Sequence, residues 1–251
     1  MNCTAVVDII RRSTQGATRP FLCRCENGGL YWVKGTAAGN PALCAEWIAG
    51  RLGAAWGLPI PPIAQIRVPS HLVEASTFPG VADLGSGIRF GSRHIEGAQE
   101  YDATLLERTP QPLRLRVLAF DAWIRNTDRT FTRPFGSSGN PNLLWRPENE
   151  MLHVIDHNNA FLGEDLLRAT GFGSHVFSAE RKELTPALRA ELEADVAKAF
   201  RQLGEIFSEL PDDWLWLDSE KTARSDMTLD RVRDSLAVVS RGKASFWERL
   251  T

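Results

Sequence analysis

The sequence has little excess of charge of either sign. Its 251 residues contain 29 lysines and arginines against 31 aspartates and glutamates, for a formal net charge of -2 at pH 7. A protein that binds nucleic acid usually carries a basic surface field, so no nucleic-acid partner is expected. Hydrophobic residues make up 43% and charged residues 24% of the chain, which is the mixture of a soluble globular protein.

Long apolar segments are also absent. No run of residues approaches the roughly 18 apolar positions that a membrane-spanning helix requires. Near the amino terminus the apolar run Ala5–Ile10 is followed by Arg11 and Arg12, whereas a secretory signal peptide has its basic residues first and a longer apolar stretch after them. The sequence therefore predicts a cytoplasmic protein with no membrane partner.

Residues that bind zinc are few and poorly spaced. Cys23 and Cys25 alternate within a predicted strand, but no second cysteine pair matches them and the five histidines show no paired spacing. A structural zinc site needs two such pairs of ligands. The four cysteines, which include Cys3 and Cys44, are therefore predicted to be small apolar side chains in a reducing compartment.

The first part of the chain is predicted to be rich in strands. Phe21–Cys25 and Leu30–Lys34 flank Asn27–Gly29, a turn whose Asn and Gly residues tolerate positive φ. Further strands are predicted at Ile63–Val68, Leu72–Glu74 and Ile88–Phe90.

One helix interrupts these strands. Apolar residues recur at helical spacing from Leu43 to Trp56. Asn40 is predicted to be the N-cap, and Pro41 fits the first helical position. Gly57 is predicted to end the helix. Together these signals predict a helix with well-defined ends.

From about Tyr101 the pattern becomes mainly helical. Pro112–Arg125 is a predicted helix, and Leu143–Trp145 and Leu152–Ile155 form a predicted hairpin. Two more helices are predicted, one from Thr185–Pro186 through about Leu210 and one from Thr228 through about Val239. The change of pattern predicts an α+β fold in two parts, residues 1–98 and residues 99–251.

Three short segments contain the residue types that phosphoryl transfer requires. Asp128 stands in a loop directly after a predicted helix, and Asp156 ends the returning strand of the predicted hairpin. Asn140 and Asn142 stand at the head of that hairpin. In phosphoryl transfer one carboxylate orients the acceptor hydroxyl and takes its proton, while a second carboxylate and an amide oxygen hold Mg²⁺. The hairpin would bring Asn140 or Asn142 close to Asp156.

An ordinary turn is the alternative for Asp128 taken alone. Asp and Asn favour turns, and Arg129 could merely pair with Asp128. Asp121 lies on the preceding helix, where a buried acid would anchor the loop, so a structural role is predicted for it. The succession of the three segments in order favours a functional site over an isolated turn.

In these segments the sequence resembles the HipA-like family of serine/threonine kinases and, more distantly, the phosphatidylinositol kinases. Both have a catalytic loop of the form Asp-Arg or Asp-x-His, then Asn with two apolar residues, then Ile-Asp. The N-terminal part is similar as well, through Gly16–Pro20, the strand ending Trp32–Lys34 and the helix that carries Glu46. The resemblance covers roughly residues 10–165 and implies a two-lobed, protein-kinase-like fold with the nucleotide between the lobes.

The resemblance also implies a role for each site residue. Asp128 would be the catalytic aspartate and Asp156 the metal-binding aspartate. Lys34 would contact the nucleotide phosphates, with Glu46 as its ion-pair partner. Further cofactor contacts are implied for the phosphate-covering loop Ser13–Thr18, with Gly16 and Thr18, and for the adenine-contacting segment Gly91–Gly97, with Glu96.

The metal-binding asparagine departs from the family pattern. Arg133 stands where the family has this residue, and Asn140 and Asn142 come after Thr130–Gly139, a segment that reads as an inserted loop. Both asparagines therefore stay candidates for the metal site beside Asp156.

The predicted reaction is transfer of the ATP γ-phosphate, with Mg²⁺, to a hydroxyl group of a protein serine or threonine. A protein substrate is therefore the expected partner. A lipid or small-molecule kinase would keep the fold and change the acceptor, although no basic membrane-facing cluster supports a lipid. A nucleotide-binding pseudokinase that acts as an adaptor is the other alternative, and the displaced asparagine favours it. The oligomeric state stays open.

Overall fold

The computed structural model describes residues 3–131, 139–161 and 172–237, together with Trp247 and Leu250. Five strands in the first part of the chain close into a barrel, and helices with a small sheet follow. The barrel strands are β1 (Cys3–Arg12), β2 (Phe21–Cys25), β3 (Leu30–Lys34), β4 (Ile63–Val68) and β5 (Gly87–Arg93).

Around the barrel the strands follow the order β1-β2-β3-β5-β4, and parallel pairing of β1 with β4 closes the ring. The predicted strands at β2, β3, β4 and β5 are confirmed, because alternate side chains such as Phe21, Cys23 and Cys25 fill the interior. Strand β1 was not predicted. Its pairing with β2 shifts register at two places, and such bulges obscure the alternation by which a strand is recognised.

All four cysteines are free. Cys23, Cys25 and Cys44 are buried as the sequence predicted, whereas Cys3 is exposed, so the prediction of a small packed side chain was wrong for Cys3. Burial raises the pKa of the Cys23 thiol to about 12 and that of the Cys25 thiol to about 11. Both thiols therefore stay protonated and pack as small apolar groups.

Helix α1 (Asn40–Trp56) was predicted with nearly the correct ends. The predicted N-cap was wrong, because Gly39 occupies that position with a φ of 78°, which an L-residue adopts only with strain. Asn40 is the first helical residue, and its side-chain amide instead bonds to a distant part of the chain. Gly57 ends the helix in the left-handed conformation, as predicted.

Helix α2 (Ser70–Ala75) replaces the strand predicted at Leu72–Glu74, so that prediction was wrong. Pro69 precedes the helix in an extended conformation, and its carbonyl accepts a bond from the Leu72 amide. Leu72 and Val73 both pack on the barrel core. Adjacent residues can share one side of a helical turn, whereas in a strand they would point to opposite faces.

The remainder of the chain is mainly helical. Helix α3 (Gln111–Ile124) is followed by the predicted hairpin, β7 (Leu143–Arg146) and β8 (Met151–Val154), to which β6 (Gln99–Glu100) adds a third strand. Within the part of the chain that the structure describes, three α-helices follow: α4 (Pro186–Phe200), α5 (Leu203–Ser208) and α6 (Leu229–Leu236). Thr228 caps α6 by accepting a bond from the amide of Arg231, as predicted; the rest of that predicted helix lies outside the described residues.

The single helix predicted from Thr185–Pro186 to Leu210 is two helices, so that prediction was wrong. The chain turns at Arg201–Gln202, where the Gln202 amide bonds the carbonyl of Ala199. The break redirects α5 so that Leu203 and Ile206 are buried. Gly204, a weak helix former, lies directly after the turn.

Two separate hydrophobic clusters hold these elements together. The smaller one fills the barrel, with Val6, Phe21 and Ile66 among its members. The larger one joins α1 to the helices and hairpin that follow it. Helix α1 therefore belongs, by its packing, with the later part of the chain. Among the described residues, no helix is both long and apolar enough to cross a bilayer.

Candidate active site

A cleft of about 210 Å³ lies where the barrel meets the hairpin. Strands β3 and β5 contribute Trp32, Lys34, Phe90 and Ser92 to its lining. Six of the predicted site residues also line it: Gly16, Thr18, Glu46, Asn140, Asn142 and Asp156. The fold thus brings together residues that are far apart in the sequence.

Lys34 joins two carboxylates inside this cleft. It ends β3, is 6% exposed, and its Nζ donates to Oε1 of Glu46 and, over 2.6 Å, to Oδ1 of Asp156. Burial alone would lower the pKa of Lys34, but Asp156 and Glu46 outweigh it and raise the pKa above the ordinary value. The ammonium group therefore stays charged at neutral pH.

Glu46 reaches the cleft from α1. Its carboxylate is 2% exposed, and its second oxygen, Oε2, accepts a 3.0 Å bond from the backbone amide of His157. Burial raises the pKa of Glu46, against the opposing effect of Lys34. Glu46 thus connects three elements: the helix, the end of β3 and the segment after β8.

Asp156 is the second residue after the end of β8 and has a φ of 59°. Asp tolerates this left-handed conformation better than most residues. The preceding amide, that of Ile155, donates to the carbonyl of Asn142 over 3.1 Å, which places Asp156 beside the asparagine loop. Burial would raise the pKa of Asp156, but Lys34 outweighs it, so the pKa lies below the ordinary value and the carboxylate is ionised.

Asp128 lies beside the cleft in the loop after α3. Two amide groups hold its Oδ2: Asn142 Nδ2 donates over 3.3 Å and Asn159 Nδ2 over 3.0 Å. Asp128 does not itself line the cleft, but Asn142 does. Sequence reasoning did not select Asn159, although it belongs to the polar run that directly follows β8.

The two candidate asparagines have different surroundings. Asn142 is 2% exposed and has a φ of 52°. Its backbone amide donates over 2.9 Å to Oδ1 of Asn140. Because Nδ2 of Asn142 bonds Asp128, its amide oxygen is the polar atom that remains to face a ligand. Arg133 and most of the predicted inserted loop lie outside the described residues.

Arg129 is fully buried and ties the loop that carries Asp128 to both neighbouring segments. Its Nε donates to Oδ2 of Asp121 over 2.7 Å, so the suggested pairing with Asp128 was wrong. Its Nη1 donates to the carbonyls of Asn142 and, over 3.2 Å, Ile155. One guanidinium group therefore fixes the residues next to Asp156 and those next to Asp128.

Asp121 anchors this loop from α3, as predicted. Besides Arg129, it accepts bonds from Asn126 Nδ2 and His175 Nε2, each over 3.0 Å. Burial would raise its pKa, but Arg129 and His175 outweigh it and hold the pKa well below the ordinary value. The network brings together α3, the loop that carries Asp128 and the segment that contains His175.

Of the remaining predicted cofactor contacts, the phosphate-covering loop lies at the cleft and Glu96 does not. The loop Ser13–Thr18 joins β1 to β2, and the Ser13 amide bonds the carbonyl of Pro20 across its base over 2.8 Å. Gly16 has a φ of 74°, and this loop forms one wall of the cleft. Glu96 lies on an exposed turn after β5 and does not line the cleft.

A strand lysine paired with a helix glutamate beside another carboxylate is the arrangement found in protein kinases, and the class of protein that this fold and cleft indicate is a kinase. The chain belongs to the HipA-like kinase family, because the family model described as "HipA-like kinase" matches residues 6–250. The predicted family is therefore confirmed. The match also includes the final third of the chain, where the sequence showed no recognised motif.

One solved structure similar to this chain is the crystal structure of a Helicobacter pylori proinflammatory kinase, CtkA. The identity is 10%, the TM-score is 0.49, and the alignment covers 88% of this chain and 89% of that chain. No curated protein matches the sequence.

Proposed function

We propose that this kinase transfers the γ-phosphate of ATP to a serine or threonine hydroxyl of a protein. The observation that supports this most strongly is the buried contact of Lys34 with both Glu46 and Asp156. Glu46 holds the Lys34 ammonium group at the cleft, where it would contact phosphate oxygens once Asp156 binds a metal ion. We further propose a two-lobed, protein-kinase-like arrangement, with residues 1–98 and 99–251 on either side of the nucleotide.

The family implies ATP and a divalent metal in general, and the donor set at the cleft suits Mg²⁺. Mg²⁺ prefers oxygen ligands and usually binds through one or two carboxylates, several waters and the substrate phosphates. Asp156 would supply the carboxylate, and Asn142 or Asn140 an amide oxygen. The described residues contain no cluster of three acidic, histidine or cysteine side chains for a metal. When bound, the metal would neutralise charge on the phosphates.

Asp128 would accept the proton of the acceptor hydroxyl. As the hydroxyl oxygen forms its bond to the γ-phosphorus, the bond from that phosphorus to the bridging oxygen of the diphosphate breaks. Asn142 and Asn159 both bond one oxygen of Asp128, which restricts the orientation of the carboxylate. Lys34, held by Glu46, would contact the non-transferred phosphates.

Transfer of labelled γ-phosphate from ATP, in the presence of Mg²⁺, tests the proposal. The wild-type protein should label a protein acceptor on serine or threonine. Asp128→Asn should lower the rate by about a hundredfold or more, because it removes the base, and Asp8→Asn, at an exposed position on β1, should leave the rate unchanged. Labelling of only a lipid or small molecule would assign a different acceptor. ATP binding without any transfer would indicate a pseudokinase.

A further inference from the structure

One segment in the last third of the chain, Glu209–Trp216, contacts the helix that carries Glu46. We name it the clamp. On α1 the clamp meets a stripe of side chains at helical spacing: Asn40, Cys44, Trp47 and Arg51. Glu46 lies within this stretch of sequence but faces the cleft. The same helix therefore has one face on the clamp and another at Lys34.

The start of α1 bonds the backbone of the clamp. The side-chain amide of Asn40 donates to the carbonyl oxygens of Asp213, over 3.0 Å, and Trp216, over 2.7 Å. One turn later, the thiol of Cys44 donates to the carbonyl of Trp214 over 3.4 Å. The first two turns of α1 are therefore attached to the clamp through backbone carbonyl groups of the clamp.

The middle of α1 bonds a clamp side chain. Oε2 of Glu209 accepts from Trp47 Nε1 over 3.2 Å and from Arg51 Nη1 over 2.7 Å, and the Glu209 side chain is only 13% exposed. The ring of Trp214 is fully buried and meets the ring of Trp47 edge-on, with centroids 6.5 Å apart. Charge-assisted bonds and aromatic contacts of this kind are among the stronger non-covalent interactions in proteins.

The clamp also bonds the barrel. Gln65 on β4 donates its side-chain amide to the backbone carbonyl of Glu209 over 2.6 Å. Trp214 Nε1 donates to the backbone carbonyl of Ile88 on β5 over 2.9 Å. Glu209 and Trp214 therefore each contact both α1 and the barrel.

This double attachment matters because the elements that carry Lys34 and Glu46 pack in different hydrophobic clusters. Lys34 extends from a barrel strand, whereas α1 packs in the larger core. Their ion pair therefore depends on how α1 is seated against the barrel. A displacement of α1 by a few ångströms would break the pair and leave two charges buried, which is strongly unfavourable.

We propose that the clamp holds α1 against the barrel so that Glu46 stays within reach of Lys34, which makes Glu209 and Trp214 positioning residues for phosphate transfer. The proposal rests on the proposed function, since the consequence for turnover requires that Lys34 act on ATP. A role of the clamp in overall stability alone is the competing explanation.

Glu209→Ala, which removes the acceptor for Trp47 and Arg51, tests the proposal. Its matched control is Glu193→Ala on α4, because Glu193 accepts a similar bond from Trp247 Nε1 over 2.7 Å without contacting α1 through it. Glu209→Gln keeps an oxygen that can accept from Trp47 and provides a milder variant. Each is measured for kcat and KM with ATP and for hydrogen exchange of the α1 amides.

We expect Glu209→Ala to lower kcat about tenfold and to speed exchange along α1, with Glu209→Gln intermediate and Glu193→Ala close to wild type. In a Glu46→Gln background, Glu209→Ala should add little further loss of kcat, because the clamp acts through Glu46. If Glu209→Ala lowers kcat by the same factor in the wild-type and the Glu46→Gln backgrounds, the role of Glu209 is merely structural and the proposal is overturned.

Hydrogen exchange separates failure of this proposal from failure of the proposed function. Wild-type protein that transfers no phosphate would contradict the proposed function alone. If Glu209→Ala leaves the hydrogen exchange of the α1 amides unchanged, the clamp proposal is overturned whether or not the protein is active.

Discussion

Among single side chains, Lys34 has the most demanding surroundings. Its ammonium group is almost completely buried and lies between the carboxylates of Glu46 and Asp156. A buried charge is tolerated only when it is paired and hydrogen-bonded. Here one cation stabilises two anions that would otherwise repel each other, so the site depends on it before any ligand arrives.

Lys34→Met should therefore destabilise the protein in a manner that depends on pH. At pH 7 the buried carboxylate of Glu46 and the partly exposed carboxylate of Asp156 lose their counter-charge, and breaking a buried pair costs about 3–5 kcal/mol. Without Lys34, burial and mutual repulsion raise the folded-state pKa of the carboxylates, so the folded variant takes up protons as the pH falls. The loss in free energy of unfolding, measured with urea, should be smaller at pH 5 than at pH 7.

Lys198→Met is the control for this measurement, since Lys198 is exposed on α4. It should change the free energy of unfolding by less than about 0.5 kcal/mol at either pH. A Lys34→Met deficit that is equal at pH 5 and pH 7 would contradict the electrostatic account of the site.

Among secondary-structure elements, α3 and the loop that follows it are joined by a buried polar network. Asp121 accepts bonds from Asn126, Arg129 and His175. Arg129 in turn donates to the carbonyls beside Asp156. The loop that carries Asp128 is therefore fixed at its base by α3 and at its far side by the end of the hairpin.

Asp121→Asn should reduce both stability and phosphate transfer. The variant leaves the Arg129 guanidinium buried without a carboxylate, and removal of one partner of a buried pair costs about 3–5 kcal/mol. Asp195→Asn is the matched control, because Asp195 pairs with Arg116 over 2.7 Å where both side chains are about a third exposed. We expect that control to cost less than about 1 kcal/mol.

Thermal unfolding and the rate of γ-phosphate transfer together measure the effect of Asp121→Asn. Assayed well below its own melting temperature, the variant should still be slow, since the Asp128 loop has lost its anchor. A variant that melts early but transfers phosphate at the wild-type rate would show that Asp121 supports the fold and not the site.

For the chain as a whole, two buried imidazoles contribute to the response to acid. Burial, with Arg129 nearby, lowers the pKa of His157 to about 3. Burial also lowers the pKa of His175, although its partner Asp121 opposes the shift. His175 Nδ1 accepts a bond from the Phe177 amide, so its Nε2 carries the proton and donates to Asp121. Both rings are neutral in the folded protein.

The folded protein should therefore lose stability as the pH falls below about 6.5, the ordinary pKa of histidine. The unfolded chain takes up protons there that the folded chain does not, so the stability contributed by these rings is complete above pH 6.5 and declines below it. Each proton that only the unfolded chain binds lowers the free energy of unfolding by about 1.4 kcal/mol for every pH unit of acidification. Between pH 4.5 and 6.5, His175→Gln should reduce the slope of unfolding free energy against pH by at most the contribution of one bound proton, about 1.4 kcal/mol per pH unit.

His71→Gln, at an exposed position on α2, controls for the loss of a histidine and should leave the slope unchanged. Urea unfolding at several pH values gives the slopes. An identical slope for His175→Gln and wild type would show that this ring does not contribute to acid lability.

The sequence by itself determined what depends on neighbouring residues. The strands at β2 and β3, the end of α1 at Gly57 and the hairpin β7–β8 follow from alternation, helical spacing and turn residues, and all are local signals. The resemblance of short motifs around Asp128 and Asp156 to a known family identified the family. That resemblance also implied roles for Lys34, Glu46 and Asp156, which the structure places in contact, although their roles in catalysis stay predictions.

Tertiary structure decided the rest, because those features depend on residues that are distant in sequence. Lys34 meets Asp156 across 122 residues, and Asn40 meets Trp216 across 176. The partner of Arg129 is Asp121 and not the adjacent Asp128, because Arg129 and Asp121 are both fully buried whereas Asp128 is partly exposed. The short helix α2 and the break before α5 likewise follow from the surfaces on which they pack, which local propensity does not encode.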